Sequence, residues 1–111
     1  MKSNFLFGLS QRDYDKIYET IAHTQGVEQA IIYGSRAKGN FKAGSDIDLT
    51  ISGKMTWVEF HQLESQLDDL MLPYQFDLSL LANIDNKKLV DHINRAGKIF
   101  YRRNEVYGEK G

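Results

Sequence analysis

The sequence contains no cysteine, which excludes disulfides, thiolate metal sites and cysteine nucleophiles. It contains one proline, Pro73, placed between two predicted elements. No apolar run approaches the roughly 18 residues needed to cross a membrane. The opening stretch "MKSNFLFGLSQRD" has a short apolar patch and no small-residue cleavage pattern, so no signal peptide is expected. A reduced, cytoplasmic setting is the default expectation. Charge of one sign is also scarce: 14 basic residues face 15 acidic ones, for a net charge of −1. Without a basic stripe, nucleic acid is disfavoured as the main partner. Internal repeats, low-complexity tracts and linkers are missing too, so one domain over residues 1–111 is expected.

What is present suits a folded domain. Hydrophobic residues make up 41% of the chain and charged residues 26%, close to the globular average. Ser10 can cap a helix carrying Tyr14, Ile17, Tyr18, Ile21 and Ala22 at helical spacing, with Gly26 expected to end it. "VEQAIIY", from Val27 to Tyr33, reads as a buried central strand. A short turn or helical piece follows in "RAKGN". In "SDIDLTIS", Asp46, Asp48 and Thr50 alternate with Ile47, Leu49 and Ile51, as on a half-buried strand. Thr56 with Glu59 forms a capping box for a second helix with an apolar stripe of Phe60, Leu63, Leu67 and Leu70. "YQFDLSLL" alternates again, with Asp77 on its polar side. A third helix is expected from near Asp85, carrying Leu89, Val90 and Ile93 and stopped by Gly97. "KIFYR" adds a last short strand, and residues 104–111 read as a flexible tail. The order α-β-β-α-β-α with a final β predicts an α/β fold, with helices packed on one face of a small mixed sheet and the other face partly open.

The chemistry is concentrated in "YGSRAKGNFKAGSDIDLTI". Aspartates two apart on a strand share a face about 6–7 Å apart at the backbone. Carboxylates are poor strand formers and repel one another unless a cation lies between them. Asp46 and Asp48 can converge on divalent cations, and Asp77 adds a third carboxylate if its strand lies alongside. Magnesium is the expected ion, because it prefers carboxylate and phosphate oxygens and keeps several waters. Gly34 and Ser35 end a strand and enter a helical turn, a place where backbone N–H groups receive phosphate oxygens. Arg36, Lys38 and Lys42 are nearby cations.

Gly34-Ser35, ten intervening residues and then Asp46-Ile47-Asp48 resemble the signature of the polymerase-β-like nucleotidyltransferase superfamily. The wording "GSRAKG…SDIDL" and the chain length are most similar to its minimal nucleotidyltransferase branch. The resemblance implies that Asp46, Asp48 and Asp77 are catalytic and hold two Mg2+ ions. It also implies that Gly34 and Ser35 hold the β- and γ-phosphates, beside which the cations Arg36 and Lys38 are expected to touch the nucleotide. AMP would pass from ATP to an acceptor hydroxyl, with Asp77 assisting its deprotonation. Chains resembling this one are often antitoxins paired with a small helical HEPN-domain partner. On that likeness, the acceptor is a tyrosine of the partner and modification silences its ribonuclease activity. Two other functions fit the same residues: nucleotidyl transfer to a small molecule such as an aminoglycoside, and a non-catalytic partner-binding module.

Other residues carry plainer expectations. Gly39 and Gly44 read as turn residues. His23, His61 and His92 fall on predicted helices without a second histidine at ligand spacing, and so read as surface or boundary positions. Trp57 reads as packing or partner surface, and Phe100, Tyr101 and Tyr107 as a candidate partner surface.

Overall fold

A computed structural model of the chain describes residues 6–103. Helix α1 spans Gln11–Ala22, with Ser10 Oγ accepting from the Asp13 N–H at 3.1 Å. The expected capping residue is therefore in use, although the helix closes at His23 and not at Gly26. Gly26 has φ 91° and turns the chain into β1, Val27–Tyr33. A short helix α2, Ser35–Lys38, leads through the connecting loop to β2, Ile47–Gly53. Thr56 and Glu59 make the reciprocal capping box of α3, Trp57–Asp68. Strand β3 is Phe76–Leu80, followed by a 3-10 turn at Leu81–Asn83. Helix α4, Lys87–Ala96, starts two residues later than expected because Asn86 Oδ1 takes the Lys88 and Leu89 N–H groups. Strand β4 is Lys98–Arg102, the "KIFYR" segment.

The four strands form a mixed sheet in the order β3-β2-β1-β4. β1 runs antiparallel to both β2 and β4, and β2 runs parallel to β3 with α3 as the crossover. Helices α1 and α3 pack on one face. There Ile17, Ile21, Leu63 and Leu67 bury against Ala30, Ile32, Ile47, Leu49 and Ile51. Each leucine or isoleucine among them contributes about 1.5–3 kcal/mol on leaving water. β4 has a bulge: Tyr101 pairs with Ala30 and Ile99 with Ile31, which leaves Phe100 unpaired. That extra residue explains why two successive side chains, Phe100 and Tyr101, are both buried. The Tyr14 hydroxyl donates to the Phe100 carbonyl at 3.0 Å.

The opposite face carries Tyr33, Asp48, Thr50, Asp77 and Ser79 by strand alternation and register. Helix α4 packs on β1, with buried Ile93 and with Gly97 seated against Ile31. It covers the β1 end of this face and leaves the β2–β3 end open. The face is therefore half covered, with α4 as an addition to the two helices of the main layer. Among the described residues no helix is long and apolar enough to cross a membrane. The expected tail at 104–111, with Tyr107, lies outside the described residues.

Candidate active site

The parallel pairing of β2 with β3 puts Asp48 directly opposite Asp77, and the antiparallel pairing with β1 puts Asp48 opposite Tyr33. Neighbouring strands are about 4.8 Å apart, so two carboxylates stand side by side on one face. Asp77 is exposed and Asp48 is half-buried. Burial pushes the Asp48 carboxyl above its ordinary value, and the charges of Asp77 and then Asp46 push it the same way. Among the described residues no lysine or arginine forms an ion pair with these aspartates.

Asp46 lies one residue before β2 and is exposed. The Ile47 N–H that follows it donates to the Gln75 carbonyl at 2.8 Å, which ties this end of β2 to the approach of β3. Gly34 caps α2 with φ 79° and ψ −155°, a conformation reserved for glycine. A Cβ at this position would collide with the Asp48 carboxylate. The Gly-Ser turn and the aspartate strand, read separately in the sequence, are therefore in contact. Ser35 opens α2 and is half-buried, while Lys38 is exposed at its end, as is Lys42 in the following loop.

Arg36 departs from expectation. It is 2% exposed, and its guanidinium points inward onto main-chain carbonyls. It does not share the exposed position of Lys38. His23 and His61 are exposed and bonded to Glu19 and Glu64 on their own helices; His92 is half-buried on α4. Trp57 stays 55% exposed and stacks on His61.

Tyr33 was not singled out by its sequence, where it reads as the last apolar residue of a buried strand. Its side chain shares this face with Ser79, whose Oγ donates to Thr50 Oγ1 at 2.9 Å. A row of hydroxyls therefore runs beside the two carboxylates. Burial raises the Tyr33 pKa, the nearby Ser79 hydroxyl opposes this, and the charges of Asp77 and Asp48 add to the rise. The available signal was alternation: Tyr33 shares a face with Ile31, but which face meets the aspartates depends on register.

Among the described residues no three carboxylates or imidazoles draw together into a ready cage for one metal ion. Magnesium does not require one, because it is usually bound through one or two carboxylates plus substrate phosphates. Asp48 and Asp77, side by side, offer two carboxylates, the number such a site uses.

Residues 15–106 match the family model described as polymerase beta, nucleotidyltransferase. The chain belongs to this family. No curated protein matches it. Solved nucleotidyltransferase structures do. A chain from a toxin–antitoxin complex with AMP-PNP superposes with TM-score 0.66 at 18% identity, over 83% of this chain and 75% of that one. A chain from the complex of tri-AMPylated Shewanella oneidensis HEPN toxin with its MNT antitoxin gives 0.61 at 17% identity, over 83% and 71%. One from the MntA–HepT toxin–antitoxin pair gives 0.54 at 20%, over 84% and 73%. At such identities the shared property is the fold, so the nucleotidyltransferase chemistry of this chain must be argued from its own residues.

Proposed function

We propose that this nucleotidyltransferase transfers AMP from ATP to a hydroxyl, and that the acceptor is a tyrosine of a small helical HEPN-domain partner for which the chain is the antitoxin. The observation that carries the reading is the side-by-side placement of Asp48 and Asp77 on the open end of the sheet, with Gly34 packed onto Asp48. Its support from outside the chain is the fold shared with complexes containing AMP-PNP or a tri-AMPylated HEPN toxin. A cytoplasmic setting belongs to the same proposal.

Asp46, Asp48 and Asp77 are the residues proposed to hold two magnesium ions. When bound, these supply positive charge to the triphosphate and acidify the acceptor hydroxyl. Gly34, lacking a Cβ, lets the β- and γ-phosphates approach the backbone, and the Ser35 hydroxyl donates to them. Lys38 adds an exposed cation beside that turn. Asp77 is on the edge strand β3 and exposed, so an acceptor side chain from another protein has room to reach it. Its carboxylate takes the proton of the acceptor hydroxyl as that oxygen bonds to the α-phosphorus and the bond to pyrophosphate breaks.

The test is to incubate the chain with α-labelled ATP, Mg2+ and the product of the neighbouring gene. Label on a partner tyrosine, lost with Asp48→Asn, is the expected result. Label on an added aminoglycoside would move the function to small molecules. A stable complex without label, indifferent to Asp48→Asn, would make the chain a binding module.

A further inference from the structure

We infer that Arg36 is a positioning residue that holds Asp46 in place by clamping the peptide bond on its N-terminal side. The inference rests on the reading of Asp46 as a cation ligand, and it starts from an anomaly: a buried positive charge with no carboxylate partner among the described residues.

Arg36 gets its compensation from carbonyl oxygens. Nε and Nη2 both donate to the Ser45 carbonyl, at 3.1 and 2.9 Å. Nη2 also donates to the Ala43 carbonyl at 3.2 Å, and Nη1 to the Phe7 carbonyl at 2.9 Å. The Phe41 ring centroid lies 5.2 Å and the Tyr74 centroid 4.9 Å from the guanidinium carbon, which places the cation against two aromatic rings. Tyr74 is itself tied down, donating to Asp13 Oδ2 at 3.0 Å. A Cβ on Gly8 would run into both Phe41 and Arg36, so the pocket has no slack on that side.

The Ser45 carbonyl belongs to the peptide unit that enters Asp46. The next peptide unit, at the Ile47 N–H, is bonded to the Gln75 carbonyl at 2.8 Å. The loop before it is closed on itself, the Ser45 N–H donating to the Lys42 carbonyl and the Lys42 N–H to Ser45 Oγ. Asp46 thus has an exposed side chain on a backbone gripped from both sides. That is what a ligand outside a strand needs: freedom to meet the cation, with little backbone entropy left to lose on binding it. A lysine could not replace the arginine, because a single ammonium cannot form the planar two-pronged contact with Ser45 while also reaching Phe7.

The experiment compares wild type with Arg36→Lys in the full chain, by backbone hydrogen exchange over residues 43–47 and by Mn2+ affinity without nucleotide. Arg36→Lys is expected to speed exchange in that segment and to weaken Mn2+ by about tenfold or more, the usual scale for groups that orient metal ligands. At saturating metal its KM for ATP should stay at the wild-type value while the half-saturating Mg2+ concentration rises. A core variant of matched stability loss, Leu67→Val, should keep wild-type Mn2+ affinity. Unchanged exchange, unchanged Mn2+ affinity, or a raised KM for ATP at saturating metal would each overturn the inference, the last by making Arg36 a phosphate contact. A wild type that binds no Mn2+ would overturn it as well. Should Mn2+ affinity depend on Arg36 while no AMP reaches the partner, the positioning role stands and the proposed reaction fails.

Discussion

Asp48 on β2 and Asp77 on β3 are Cα partners across the parallel strand pair, so two like charges occupy adjacent positions on one sheet face. Directly opposed like charges destabilise a sheet, and burial of Asp48 makes the repulsion harder to screen. Such an arrangement costs folded-state stability, a cost that the cations of the proposed reaction would offset.

Replacing Asp48 should therefore stabilise the metal-free chain. The folded pKa of Asp48 lies above its ordinary value of 3.8, so the native state keeps this proton to higher pH than the unfolded chain. The associated stability is fully present below the ordinary value and is lost as pH rises through the raised one. Asp48→Asn in EDTA at pH 7 should raise Tm by about 1–4 °C, on the scale set by a domain of this size. The gain should shrink towards zero below the ordinary carboxylate range. A lower Tm at pH 7, or a gain indifferent to pH, would sink the idea.

Metal should act in the opposite sense. Added Mg2+ should raise the Tm of wild type more than that of Asp48→Asn, because binding to the native state alone stabilises it by mass action. Equal responses of the two proteins in a Mg2+ titration followed by thermal melting would show that Asp48 does not take part in binding.

Gly34→Ala combines two penalties. Its φ of 79° with ψ −155° is strained for any side chain, and the added methyl meets the Asp48 carboxylate. We expect a loss of about 1–3 kcal/mol in urea unfolding together with loss of AMP transfer. Normal stability in this variant would mean that the turn relaxes freely, and the contact with Asp48 would lose its significance.

Asp77→Asn isolates chemistry from folding. The residue is exposed on an edge strand, so Tm should hold or rise. The rate of AMP transfer should drop by about 10²–10⁴-fold if its carboxylate takes the acceptor proton. Single-turnover measurements at saturating ATP and Mg2+ test this, and a rate within threefold of wild type would remove Asp77 from the proposed role (a ratio of about 3 is only ~0.7 kcal/mol in barrier height).

Thr56→Ala makes a structural control. The capping box of α3 uses the Thr56 hydroxyl for the Glu59 N–H at 3.1 Å and the Glu59 carboxylate for the Thr56 N–H at 2.8 Å. Removing the hydroxyl should cost about 1 kcal/mol of stability. AMP transfer should be unaffected, since this cap follows the far end of β2 from Asp48. A loss of transfer larger than the loss of folded protein would tie α3 to the site.

Local rules made much of the architecture legible. Alternation located β2 and β3, the S/T-x-x-E pattern located the start of α3, and β-branched and aromatic residues located β4, because each signal depends on neighbours a few positions away. Boundaries slipped where a different side chain took the cap, as at Asn86 ahead of α4. Tyr33 was passed over and the burial of Arg36 was not foreseen for a different reason: Tyr33 meets Asp48 only across strands, and Arg36 is enclosed by its own following loop together with the distant Phe7 and Tyr74.

By itself the sequence determined that Asp48 and Asp77 lie on the polar sides of two alternating strands, that Asp46 precedes Asp48 by two residues, and that Gly34 follows an apolar run. Tertiary structure alone decided that β2 and β3 lie parallel and in register, that Gly34 rests on Asp48, and that Arg36 turns inward among Phe7, Phe41, Ala43, Ser45 and Tyr74. The physical reason is one of range. Periodicity records only which way a side chain points from its own backbone, whereas register and burial depend on how separate segments share one core.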